Sequence, residues 1–138
     1  MTRTCSGTEE LVLRSTLDEL ERLDRKTMEC TRSAGLGEEE AMMVAIAVIE
    51  AATNAIIHGN KYADDKTVIV RYDCAPGKVE VTVHDEGPGF DVSCVPDPTD
   101  PEQFMKCSGR GIFIMREVMD TVEFDMAEGT TVKMTKLV

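Results

Sequence analysis

Hydrophobic and polar positions change period several times along the 138-residue chain, and each change marks an element. Residues 10 to 15 read as a first strand. Thr16 and Glu19 then form a capping-box pair, so a helix is expected to begin at Leu17. Its apolar positions Leu17, Leu20, Leu23 and Thr27/Met28 recur at helical spacing with charges between them until Gly35, the pattern of an amphipathic surface helix. A second helix is expected to His58, with Glu38, Glu39 and Glu40 at the positive end of its dipole and Gly59 as its stop. Nearly every residue from Ala41 to Ile57 is apolar, which predicts burial around most of the circumference.

Two strands follow, Lys66 to Asp73 and Lys78 to Asp85, turned at Ala75-Pro76-Gly77. The second alternates Val79, Val81 and Val83 with Glu80, Thr82 and His84, as a half-buried strand does. Residues 91–108 carry Pro96, Pro98 and Pro101 without a regular period, and a loop of that length in a compact domain is usually functional or mobile. A helix is expected over Gly111 to Met119, then strands at Thr121 to Met126 and Thr130 to Leu137 around Ala127-Glu128-Gly129. Hairpin-linked strands in the order βα-α-ββ-α-ββ cannot all run parallel. The expected fold class is an α/β two-layer sandwich: a mixed, mostly antiparallel sheet of about five strands with three helices on one face.

The length suits a single domain over residues 1–138. With aromatics at 4% and no Trp, Leu, Ile, Val, Met and Ala must fill the core. The net charge of −11 repels phosphate backbones and anionic lipid surfaces, which argues against direct nucleic-acid or membrane binding. Five scattered cysteines without a C-x-x-C pair suggest reduced thiols rather than a disulfide framework or a thiolate metal site. The start of the chain shows no signal segment, and Glu50, Thr53 and Asn54 interrupt the apolar run, so a cytoplasmic location is expected.

Three short motifs carry chemistry. Glu50 and Asn54, four residues apart, lie on one face of the apolar second helix, with His58 a further turn along. A satisfied core polar pair is the plain alternative, but an unpaired carboxylate there is costly. An amide oxygen at Asn54 suits Mg²⁺, which takes few protein ligands and leans on phosphates, and Glu50 one turn away suits a general base. Asp85 ends the alternating strand before Gly87-Pro88-Gly89, glycines that let backbone approach a flat ligand. Its carboxylate only accepts hydrogen bonds, so it fits the exocyclic amine of adenine and not the carbonyl that guanine presents there. Gly109-Arg110-Gly111 opens a helix, where free N–H groups bind phosphate, and Lys106 and Arg110 add positive charge beside it. No G-x-x-x-x-G-K-[ST] run occurs, so an ATP site here is not a P-loop. Gly129-Thr130-Thr131 fits either a plain hairpin turn or a place near the nucleotide.

Together these motifs resemble the boxes of the GHKL superfamily, the Bergerat-fold ATP-binding domains. Glu50-x-x-x-Asn54 looks like its N-box, Asp85-x-Gly87-x-Gly89 its first glycine box, Gly109-x-Gly111 the second and Gly129-Thr130 the last. Within that superfamily the chain is most similar to the small bacterial anti-sigma-factor serine kinases, through residues 50–60 and the Gly109 to Asp120 segment. The resemblance implies an ATP·Mg²⁺ site: Glu50 as catalytic base, Asn54 on the metal, Asp85 on adenine, and the 91–108 loop as an ATP lid. It also implies phosphorylation of a serine on a STAS-type anti-anti-sigma partner, sequestration of a sigma factor and, in many members, a homodimer. The rival reading from another class is an ATP-gated regulatory binding module that transfers no phosphate. Glu50 favours the kinase, because holding ATP alone needs no base.

Overall fold

The computed structural model describes residues 7–87, 110–125 and 128–137. Strand β1 (Gly7–Arg14) leads through a 3₁₀ turn (Leu17–Glu19) into α1 (Leu20–Ser33), and α2 (Glu38–Asn54) continues as a π turn, Ala55–Gly59. Strands β2 (Thr67–Ala75) and β3 (Lys78–Asp85) form a hairpin, followed by α3 (Arg110–Val118), β4 (Thr121–Asp125) and β5 (Thr130–Leu137). The sheet order is β1-β2-β3-β5-β4, and all four ladders are antiparallel. The expected sandwich of five strands and three helices is observed, with no parallel pair among the described residues. The 91–108 loop and Met126 lie outside them.

Alternation builds the sheet's inner face. Val79, Val81 and Val83 of β3 point inward beside Val68, Val70 and Tyr72 of β2 and Val132 and Met134 of β5, all buried. Leu23, Val44, Val48, Ala51, Ala52, Ile56 and Met115 of the helical layer complete the core, where each fully buried Val or Leu contributes about 1.5–3 kcal/mol. Alanines at positions 41, 45, 47, 51 and 52 suit α2 to the middle position, packed between α1 and α3.

Three expectations need correction. Thr16 makes no side-chain cap; Glu19 instead accepts the backbone N–H of Arg14 through Oε2 at 2.9 Å, so the α-helix starts at Leu20 after a single 3₁₀ turn. The second helix is not buried around most of its circumference: Met42, Met43 and Ile46 are 54%, 46% and 45% exposed. Two flanking helices and a sheet cover only part of it. By length and composition Glu38–Gly59 could cross a membrane, the one such helix among the described residues, yet half of it is buried as the central helix of this layer. Finally, the Glu50–Asn54–His58 line does not continue, because the backbone widens into the π turn at Ala55 and His58 is exposed.

Candidate functional site

The site grows from the end of β3. Asp85 shares the inward phase of Val79, Val81 and Val83, so its carboxylate is carried into the layer between sheet and helices and is buried. Across the ladder it pairs with Thr130, the first residue of β5. Oδ1 accepts the backbone N–H groups of Gly87 at 2.9 Å and Thr130 at 3.3 Å. Oδ2 has no hydrogen-bond partner among the described residues. Burial pushes the Asp85 carboxyl above its ordinary value, and the two N–H groups oppose that shift only in part.

Three glycines make the space around it. A Cβ on Gly59 would overlap the carboxylate, lying 2.7 Å from Oδ1 and nearer still to Oδ2. A Cβ on Gly87 would collide with the Gly59 backbone, 2.7 Å from its Cα. Gly129, with φ +73°, turns so that a Cβ would strike the Asp85 carbonyl. Such close backbone approach is available only to glycine.

Gly59 reaches this position through the π turn. The N–H of Asn60 bonds to the Ala55 carbonyl at 2.8 Å, one residue wider than an α-helical bond, and Lys61 and Tyr62 then take left-handed conformations (φ 51° and 59°). π turns of this kind cluster at functional sites. Asn60, almost fully buried, fastens the turn: Nδ2 donates to Ser15 Oγ and to the Thr67 carbonyl, each at 3.0 Å, and Oδ1 accepts the Glu86 N–H at 2.9 Å. Glu86 in turn accepts the Thr67 N–H at 2.6 Å. Asn60 and Glu86 thus hold the residue after Asp85 against the starts of β2 and of the helical layer. Sequence reasoning assigned neither a role; a polar residue directly after the helix-ending Gly59 was the available signal.

One turn back, Glu50 and Asn54 face the opening of α3. A Cβ on Gly111 would lie 3.0 Å from Asn54 Nδ2 and 3.1 Å from Glu50 Oε2, so the start of α3 packs directly on these two side chains. Both side chains are half-buried and neither makes a hydrogen bond among the described residues. Thr53 bonds back to the Ile49 carbonyl at 2.7 Å. No cluster of three or more His, Cys, Asp or Glu suited to a metal occurs among the described residues. His84 pairs with Thr131 across the outer face of the sheet at 2.7 Å.

The structure therefore gathers the candidates into two adjoining clusters joined by the π turn: Glu50, Asn54 and Gly111 in one, Asp85, Gly87 and Thr130 in the other. Arg110 opens α3, but its side chain, with Gly89, Lys106 and Gly109, lies outside the described residues.

Comparison with known proteins gives the family. The family described as "histidine kinase-like ATPase domain" matches residues 13–136. The serine-protein kinase RsbW of Listeria monocytogenes serotype 4a is 34% identical over 111 residues, covering 76% of this chain and 71% of that protein. The chain belongs to the GHKL family, in its anti-sigma-factor serine kinase branch. RsbW of Bacillus licheniformis is 37% identical over 99 residues, 66% of this chain and 61% of that one. Among solved structures, the RsbU and RsbW domains of Rv1364c from Mycobacterium tuberculosis superpose with a TM-score of 0.67 at 17% identity, over 96% of this chain and 32% of that longer one. The catalytic domain of the histidine kinase ThkA gives 0.56 at 16% identity, over 94% and 95% of the two chains. At those identities the likeness is one of fold alone.

Proposed function

We propose that this single domain is a cytoplasmic protein serine kinase that binds ATP and Mg²⁺ and phosphorylates a serine of a STAS-type anti-anti-sigma partner, so controlling capture of a sigma factor. The observation that carries it is the half-buried Glu50 carboxylate, beside Asn54 and against the first turn of α3, with no hydrogen-bond partner among the described residues. Holding a nucleotide alone does not call for a carboxylate at that position, whereas transfer to a hydroxyl calls for a base.

The residues fit the ligands. Asp85 Oδ2, which has no hydrogen-bond partner among the described residues, would accept a hydrogen bond from an adenine amine, and Gly59 and Gly87 keep the space beside the carboxylate clear of side chains. Asn54 offers a hard oxygen, and a donor set this sparse suits Mg²⁺ rather than zinc or iron. ATP with Mg²⁺ supplies a transferable phosphoryl group whose charge is partly neutralised. The N–H groups opening α3, with Lys106 and Arg110, are assigned to the phosphates. Glu50 would orient the serine hydroxyl and take its proton, the phosphoryl group passing from bound ATP to that oxygen with ADP as the leaving group.

The test is direct. The protein is incubated with labelled ATP, Mg²⁺ and each purified STAS-type protein of its own organism. Phosphoserine on one of them supports the kinase; ATP binding with label on none reduces the chain to an ATP-gated binding module.

A further inference from the structure

We propose that the exposed face of α2, Met42, Met43 and Ile46, is the surface on which the protein to be phosphorylated docks. This rests on the kinase reading above and assigns where its substrate sits.

The three side chains are about half exposed although the apolar residues around them, Ala41, Val44, Ala45, Ala47 and Val48, are buried and α2 packs between α1 and α3. Apolar exposure of this kind, grouped and rimmed by charge, marks contact surfaces. Met43, Ile46 and Glu50 follow at i, i+3 and i+7, so the stripe runs along one face of the helix to the proposed base, about 10 Å away at 1.5 Å per residue. A protein covering Met43 and Ile46 therefore has a surface loop within reach of Glu50. The same helix orients the base and seats the substrate, so docking and chemistry share one rigid element.

Charge argues for the occupant. Glu39 and Glu40, both exposed, bound the stripe at one end and Glu50 bounds it at the other, in a chain of net charge −11. Two copies pairing antiparallel along this face would bring Glu39 of one opposite Glu50 of the other and oppose two acidic fields. A partner with an apolar patch rimmed by Lys or Arg meets both features favourably. The stripe suits a heterologous substrate and disfavours self-association.

The test uses the STAS-type protein that the chain phosphorylates or, failing transfer, the one it binds. The double variant Met42→Lys/Ile46→Lys is compared with Met42→Leu/Ile46→Leu and wild type, after ATP affinity shows that each is folded. The lysine variant is expected to raise KM for the protein substrate at least about tenfold, with kcat and ATP affinity changed less than about twofold, and the leucine variant to behave as wild type. Calorimetric binding in the presence of ADP separates the two readings: a partner bound by wild type, never phosphorylated and bound about tenfold more weakly by the lysine variant removes the kinase and keeps the surface. An unchanged KM or Kd in the lysine variant overturns the docking surface. So does a wild-type dimer that the lysine variant dissociates, which would give the stripe to a second copy. If no STAS-type protein is bound or labelled, both readings fall.

Discussion

Gly59 and Asp85 occupy one another's space: the hydrogen at Gly59 is replaced by nothing larger because the Asp85 carboxylate already stands where a Cβ would go. The helical layer and the sheet meet at this contact. Gly59→Ala forces either the π turn or the end of β3 to move, and overpacking of that kind costs about 1–3 kcal/mol. Nucleotide affinity is expected to fall with it, because the displaced group is the carboxylate assigned to adenine. Gly77→Ala is the control: with φ +86° and open space around it, it strains a hairpin turn but leaves the site untouched. Thermal melts of both variants, with and without ADP, should show ligand stabilisation lost only in Gly59→Ala.

Asp85 gives a prediction with a sign in pH. Burial raises its carboxyl above the ordinary value, so the folded protein takes up this proton before the unfolded chain does. Its linkage term favours the fold at low pH and is lost as pH rises through the raised value. Adenine recognition runs the other way, since an ionised carboxylate accepts from the amine and a protonated one presents a competing donor. Adenine-nucleotide affinity is therefore expected to decline on acidification before the ordinary Asp range near ~3.9 is reached. Asp85→Asn keeps an acceptor for the Gly87 and Thr130 N–H groups but turns a donor toward the base. It should weaken ADP binding about 10- to 100-fold and remove this pH step. Titration calorimetry across the acidic range checks both.

Asn60 is expected to matter more for the fold than any other polar residue described. Asn60→Ala leaves the Glu86 N–H without its acceptor and the Thr67 carbonyl and Ser15 hydroxyl without a donor. Buried unsatisfied groups cost about 1–3 kcal/mol each, and partial relaxation makes a total of about 2–4 kcal/mol reasonable. Denaturant unfolding measures this, and ADP affinity should drop as well, because Glu86 carries Asp85 with it.

Asp85 was legible in the sequence for a physical reason: it continues the parity of Val79, Val81 and Val83, so a carboxylate was bound to face the core. Glu50 and Asn54 were legible because polar groups stood out in an apolar helix. The π turn was not, since Ala55, Ile56 and Ile57 keep the composition of an α-helix and only the Asn60-to-Ala55 bond distinguishes the two. Nor was the clamp around Asn60, whose partners Ser15, Thr67 and Glu86 come from three separate segments. The capping box misled because Glu19 had a better donor in Arg14. The exposed stripe of α2 was hidden by its own composition: an all-apolar helix reads as buried until the number of neighbours covering it is known.

Glu50→Gln discriminates most sharply among functions. The amide matches the carboxylate in size and no hydrogen bond among the described residues depends on the charge, so the fold and the Gly111 contact should persist. ADP and ATP affinities are expected to stay within about twofold of wild type, because the carboxylate is not assigned to the nucleotide. Phosphate transfer should fall by about 10²- to 10⁴-fold, the range a positioned general base supplies. Asn54→Ala should differ in kind: it weakens transfer and also the dependence of nucleotide binding on Mg²⁺, since its oxygen is assigned to the ion. Single-turnover transfer and nucleotide binding, each with and without Mg²⁺, separate the two variants. Full transfer by Glu50→Gln would remove the base assignment and leave Glu50 as a residue that only orients the acceptor hydroxyl.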